Sequence, residues 1–183
     1  MAGRTSIAGD GVVKRIALAV ALVASTALFA SLDAWRARPV PLAGTAASPE
    51  ALAAAVVAAM RAGDLDRLRA LALTEHEFRT HVWPELPSAR PERNMPSDFV
   101  WERLQQSSEG HLRQTLTRLG ESSFDVRRVQ FGGETSDYGD VVVRRKTQLV
   151  VRSSDGRESV VQLFGSMIEQ NGRYKVFSYV VDD

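Results

Sequence analysis

The chain has 183 residues, of which 44% are hydrophobic and 25% are charged, and its formal net charge is +1 at neutral pH. This composition is typical of one ordinary globular domain with an appendage. The chain has no cysteine, which excludes both disulfides and an anchor built on a lipid-modified cysteine, so the fold must rest on its core alone.

Residues 1–33 follow the plan of a secretory signal, in which basic residues precede an apolar and small-residue run over residues 16–30. Ser25-Thr26-Ala27 offers small residues at the positions that a signal peptidase recognises. With the two residues that follow, the stretch over residues 16–32 is at the lower limit of length for a membrane-spanning helix. A cleaved signal peptide and a retained transmembrane anchor are therefore both open, and either places the domain outside the cytoplasmic membrane of a bacterial cell.

Residues 34–47 are rich in Pro, Ala and Gly and are predicted to be a linker, so the single domain is expected over residues 48–183. Residues 1–47 hold five of the 23 basic and two of the 22 acidic residues, which leaves the domain a net charge of about −2. Its basic clusters, at residues 127–128 and 144–146, are split between the two faces of predicted strands. We therefore expect no nucleic-acid partner.

The domain is predicted to open with helices whose ends are marked by capping residues. Ser48 followed by Pro49 predicts the start of the first helix, and Gly63 its end. Asp64 predicts the N-cap of a second helix, whose apolar side carries leucines.

Thr74 and Glu77 form a capping-box pattern for a short third helix. Residues 83–97 hold four prolines, which exclude a long helix or a central strand. This loop is expected to be either mobile or packed down by its larger apolar side chains, Trp83, Leu86 and Met95.

Ser97 predicts the cap of a long helix over residues 98–119. Its inward side is partly polar and carries Trp101, Leu104, Ser108, His111, Leu112, Thr115 and Leu119.

The C-terminal part predicts a three-strand antiparallel meander over residues 141–152, 159–169 and 173–181. Asp155-Gly156 and Asn171-Gly172 separate the strands, and both dipeptides favour type I′ hairpin turns. Two-residue turns at these places predict that Ser154 faces Arg157 and Gln170 faces Arg173. Both faces of this sheet are substantially apolar, although a sheet with water on one side should alternate apolar with polar residues. The sequence leaves two explanations open, a homodimer formed through the sheet or a second face covered by loops and the N-terminal helix.

The order of these elements resembles the nuclear-transport-factor-2-like superfamily, which includes polyketide-cyclase-like and ketosteroid-isomerase-like proteins. The resemblance rests on RAGDLDRLRAL at residues 61–71, on the long helix and on the closing NGRYKVFSYVVD. It implies an α+β fold in which N-terminal helices pack on a curved antiparallel sheet, a cone-like, cystatin-like roll with an apolar pocket. The superfamily contains both enzymes and non-catalytic binding domains, so the resemblance carries no catalytic residue over to this chain.

Six residues are candidates for the wall of such a pocket: His111, Asp98, Trp101, Trp83, Tyr138 and Ser108. His111 lies on the inward side of the long helix, where it is either a core imidazole or a proton-transfer group. The two tryptophans serve either as core anchors or as ligand contacts.

His76 and His81 superficially suggest a zinc-protease helix, but they are five residues apart and cannot project from one helix face. The default for both is a solvated helix histidine. No metal and no cofactor is implied by the sequence.

Three functional classes remain open at this level. The first is an exported non-catalytic module that binds a small apolar ligand or a partner protein. The second is a lyase, isomerase or hydrolase that acts on a hydrophobic substrate through His111, with Asp98 or Tyr138 assisting. The third is a domain of a membrane-tethered assembly.

Overall fold

The computed structural model describes residues 40–119 and 124–181. In these residues the chain is α+β, with helices followed by two antiparallel sheets of three and four strands. The predicted signal or anchor, residues 1–33, lies outside the described residues. No helix within the described ranges is both long and apolar enough to cross a membrane.

The first helices begin and end where the capping residues predict. Helix α1 (Pro49–Ala62) has Ser48 as its N-cap and ends at Gly63, which adopts a left-handed conformation with φ of 64°. Helix α2 (Leu65–Leu71) follows directly, and the Asp64 carboxylate accepts a hydrogen bond from the backbone of Arg67.

The short helix α3 (Glu75–Glu77) has the predicted capping box, in which Thr74 and Glu77 bond each other's backbone nitrogens. It continues into a π-helical turn, Phe78–Val82. The proline-rich loop then forms three single 3₁₀ turns, Trp83–Glu85, Pro87–Ala89 and Pro91–Arg93. Trp83 and Leu86 pack the loop onto the core, as expected, whereas the third predicted anchor, Met95, is exposed.

Helix α4 (Ser97–Leu119) is the long predicted helix and begins one residue earlier than the sequence suggested. Seven strands make up the two sheets: β1 (Phe124–Phe131), β2 (Thr135–Tyr138), β3 (Val141–Arg144), β4 (Thr147–Ser153), β5 (Glu158–Val161), β6 (Ser166–Gln170) and β7 (Arg173–Ser178). The three-stranded sheet has the order β1-β4-β5 and the four-stranded sheet has the order β2-β3-β6-β7.

The predicted three-strand meander is therefore wrong in its strand count. The expected strand over residues 141–152 is two strands in different sheets, because Lys146 takes a positive φ of 56° and ends the extended run. The expected strand over residues 159–169 is likewise split into β5 and β6. The split occurs near Gly165, whose backbone bonds Ser178 and Thr147.

Of the two predicted type I′ turns, only the second is confirmed. Asn171 and Gly172 both have positive φ, and Gln170 faces Arg173 as expected. In the first turn only Gly156 has positive φ, and the Ser153 nitrogen donates to the Arg157 carbonyl oxygen, 2.9 Å away. The loop thus has three residues instead of two, which shifts the pairing of β4 and β5 by one residue from the predicted register.

Two buried clusters cover opposite faces of the four-stranded sheet. Met167 and Ile168 are neighbours on β6, so their side chains point to opposite faces, and both are fully buried. Met167 packs in a core with helix α1, and Ile168 packs in a core with Phe78 and Val82 of the π-helical turn. Both faces of the four-stranded sheet are therefore covered within the chain. The homodimer stays a prediction.

Residues 40–46, which we call the N-terminal extension, pack on the domain although the sequence placed them in a linker. Ala46 forms an antiparallel bridge with Tyr174 of β7, and Leu42 is buried in the second core. The compact unit accordingly begins at Val40.

Candidate functional site

A cavity of about 420 Å³ lies between helix α4 and strand β7, and we call it the helix–sheet cavity. One wall comes from α4, another from Phe177 and Tyr179 at the end of β7, and a third from the segment between α2 and α3. The size falls within the range of small-molecule sites in proteins.

The cavity has an apolar interior and a charged mouth. Trp101, Leu104, Leu112 and Phe177 supply its aromatic and aliphatic surface. Polar groups on its wall are Arg69, Thr74, Glu75, Gln105, Ser108 and Glu109. Arg69 of α2 and Glu109 of α4 approach within 3.7 Å, so this ion pair links two walls of the cavity. Such a surface suits a ligand that is apolar at one end and polar at the other.

The buried polar atoms of the wall are occupied by structural hydrogen bonds. The Ser108 hydroxyl accepts from the backbone nitrogen of Tyr179 at 2.9 Å, and the Tyr179 hydroxyl donates to the Leu68 carbonyl at 2.7 Å. Burial raises the pKa of Tyr179 above its ordinary value. The phenol therefore stays protonated at neutral pH and is unsuited to proton transfer with a ligand.

Two of the six candidate residues, Trp101 and Ser108, lie on the wall of this cavity. Trp101 also packs against Phe78, with ring centroids 5.4 Å apart, and Trp83 packs against the same ring at 6.3 Å. Tyr138 packs against the same core from strand β2. The two tryptophans are thus core anchors, and Trp101 reaches the cavity as well.

His111 and Asp98 are not on the wall of the helix–sheet cavity. The His111 Nδ1 donates to the Ser107 carbonyl one turn earlier in the same helix, at 2.9 Å. Asp98 is exposed, and hydrogen bonds from Ser97 and Arg79 hold its pKa below the ordinary value. The arrangement fits a surface carboxylate near a helix N-terminus.

A buried polar network that the sequence did not suggest surrounds His81. This histidine is 3% exposed, so the expectation of a solvated side chain is wrong for His81, whereas His76 is exposed as expected. The His81 Nδ1 donates to the Asp140 carboxylate at 2.8 Å, and the Gln170 amide donates to the same carboxylate at 2.9 Å. The Gln170 amide also bonds Val40 and Leu42 of the N-terminal extension.

The His81–Asp140 pair has the spacing of a catalytic dyad, but it does not line the helix–sheet cavity. The Nε2 atom of His81 is buried and has no hydrogen-bond partner in the described part of the chain. The helix–sheet cavity does not include His81. The network therefore joins the π-helical turn, the β2–β3 turn and the N-terminal extension. The one sign of this network in the sequence is Gly139-Asp140, a dipeptide typical of a turn. It lies between the polar strand β2 and the valine-rich strand β3.

A second buried network centres on Glu77, whose carboxylate receives Lys175 at 2.8 and 3.0 Å and the Ala43 nitrogen at 2.8 Å. Burial by itself raises the pKa of Glu77, but the hydrogen bonds from Lys175, Thr74 and Ala43 outweigh it and hold the pKa below its ordinary value. The Glu77–Lys175 ion pair joins α3 to β7, and Ala43 links the N-terminal extension to the same carboxylate.

No family model, no curated protein and no solved structure matches this chain. The resemblance to the nuclear-transport-factor-2-like superfamily accordingly stays a prediction. Within residues 40–119 and 124–181, no group of three or more acidic or histidine side chains is placed to hold a metal ion.

Proposed function

We propose that the chain is a non-catalytic module that binds a small amphipathic ligand in the helix–sheet cavity and works outside the cytoplasmic membrane. The observation that carries this proposal is the cavity itself, which has aromatic and aliphatic walls and a polar mouth. The extracytoplasmic location rests on the signal-like residues 1–33. The cone-like enclosure of the resembling superfamily is part of the same proposal.

The binding role is favoured over the enzyme role by the groups that reach the cavity. An acid–base enzyme needs a titratable group within hydrogen-bond reach of its substrate. The proposed proton-transfer group, His111, bonds its own helix and is not on the wall. The wall hydroxyls of Ser108 and Tyr179 are already bonded to backbone groups. The wall carboxylates of Glu75 and Glu109 are in ion pairs with Arg79 and Arg69.

Filling the cavity from α4 tests the proposal. Gln105 lies on the cavity wall, whereas its neighbour Gln106 is exposed and does not line the cavity. We expect Gln105→Trp to weaken the binding of small amphipathic compounds by about tenfold or more, because the indole occupies the cavity. Ligand-observed NMR with a library of such compounds on the full chain measures the effect.

Gln106→Trp is the matched control, since it adds the same side chain to the same helix outside the cavity. Compounds that bind the wild type should bind this variant equally well. The proposal fails if no compound in the library binds the wild-type chain, or if those that bind do so equally well to Gln105→Trp, provided that far-ultraviolet circular dichroism shows both variants folded.

A further inference from the structure

A second cavity, of about 460 Å³, lies where the C-terminal end of helix α4 meets the three-stranded sheet, and we call it the α4–β5 cavity. It shares no wall residue with the helix–sheet cavity. Six apolar side chains line it: Leu119, Phe124, Val151, Val161, Leu163 and Val181. This wall offers an aliphatic ligand a surface from which water is readily displaced.

The wall also carries a buried amide donor that nothing nearby satisfies. Gln162 lies directly after strand β5, where the chain leaves the three-stranded sheet. Its Nε2 is buried and finds no hydrogen-bond partner in residues 40–119 and 124–181. Leaving such a donor unpaired is costly, so folded proteins satisfy nearly all of them. The Nε2 atom itself does not open into the cavity that Gln162 lines, so a ligand acceptor there would satisfy it after a rotation of the terminal amide.

The polar groups around Gln162 define which acceptor fits. Ser153 and Ser159 stand on neighbouring strands, and Arg118 lies on the last turn of α4. The Arg118 side chain is exposed. A guanidinium, an amide donor and two hydroxyls together match a carboxylate, which accepts several hydrogen bonds and carries the complementary charge.

We propose that the α4–β5 cavity binds an aliphatic monocarboxylate of the fatty-acid type. Its carboxylate accepts from Arg118 and from the reoriented Gln162 amide, and its chain lies on the apolar wall. This site is separate from the helix–sheet cavity, so it goes beyond the function proposed above and does not depend on it.

Titration with decanoate tests the assignment. The full chain is held in lipid nanodiscs with empty nanodiscs as the blank, and binding is measured calorimetrically for decanoate and for the uncharged decanol. We expect Gln162→Leu, which keeps the volume of the side chain and removes its amide, to weaken decanoate binding by about tenfold or more. Arg118→Gln should remove the preference for decanoate over decanol.

Gln114→Leu is the control, since Gln114 is exposed on the same helix and lies outside both cavities. It should leave decanoate binding unchanged. Without ligand, Gln162→Leu should raise the melting temperature, because an unpaired buried amide is replaced by an apolar group. The assignment is overturned if decanoate does not bind the wild-type chain, if it binds wild type and both site variants alike, or if Gln162→Leu lowers the melting temperature.

Discussion

At the scale of single residues, Glu77 shows how one carboxylate can serve several parts of the fold. It caps α3 through Thr74, receives the Ala43 nitrogen of the N-terminal extension and pairs with Lys175 of β7. Lys175 is only 1% exposed, so its ammonium group has little access to water. A buried pair of this kind adds little over an apolar pair, but either charge left alone is strongly destabilising.

Replacing Lys175 by Met should therefore lower the free energy of unfolding by about 3–5 kcal/mol, because the Glu77 charge stays buried without its main counter-charge. Arg152→Met is the comparison, since the Arg152–Glu158 pair is largely exposed and should contribute at most about 1 kcal/mol. Urea unfolding at neutral pH measures both variants. Equal losses for the two would show that the Glu77 pair is solvated.

At the scale of elements, the sequence predicts helices better than sheets. The ends of α1, α2 and α3 depend on capping residues that contact their own helix, so local sequence suffices. The division of the C-terminal strands depends on where distant backbone segments meet. Gly165 is the clearest case, because a Cβ at this position would lie 1.6 Å from the Val180 carbonyl oxygen. Nothing in the apolar pattern around Gly165 reveals that contact.

The residues of the candidate site were likewise predictable where the signal is local and not where it depends on distant segments. Trp101 and Ser108 were predicted because helical spacing puts them on the inward side of α4. The His81–Asp140 pair was missed because its partners are 59 residues apart and meet only through the tertiary fold.

Two glycine substitutions distinguish a contact between distant backbone segments, at Gly165, from a local effect on a helix, at Gly110. Gly165→Ala should lower the free energy of unfolding by about 3 kcal/mol or more, since the new methyl group has to displace backbone. Gly110→Ala, at an exposed position of α4 with open space around it, should raise it by about 0.5–1 kcal/mol. Thermal unfolding of the two variants measures the difference. A Gly165→Ala chain as stable as the wild type would mean that β5 and β6 are not held apart by this contact.

At the scale of the whole molecule, the N-terminal extension makes the domain start earlier than its first helix. Leu42 fills the second core, and the backbone of residues 40–46 bonds both buried networks and strand β7. The extension thus adds a layer over the face of the four-stranded sheet that bears Ile168 and Val143. Its composition, rich in Pro, Ala and Gly, gave no sign of this because the contacts are mostly made by backbone atoms.

If the N-terminal extension is an integral layer of the domain, its deeply buried side chain, Leu42, should contribute as much to the free energy of unfolding as a core residue. Leu42 is 6% exposed and Val40, two residues earlier, is 50% exposed. We expect Leu42→Ala in the full chain to lower the free energy of unfolding by about 2–5 kcal/mol, as for other core leucines. Val40→Ala should change it by less than about 0.5 kcal/mol, since its side chain faces solvent.

Hydrogen exchange should report the same difference locally, through faster exchange of the Leu42 and Ala43 amides only in Leu42→Ala. If both variants are as stable as the wild type, the extension is a loosely attached segment and the domain begins at Ser48.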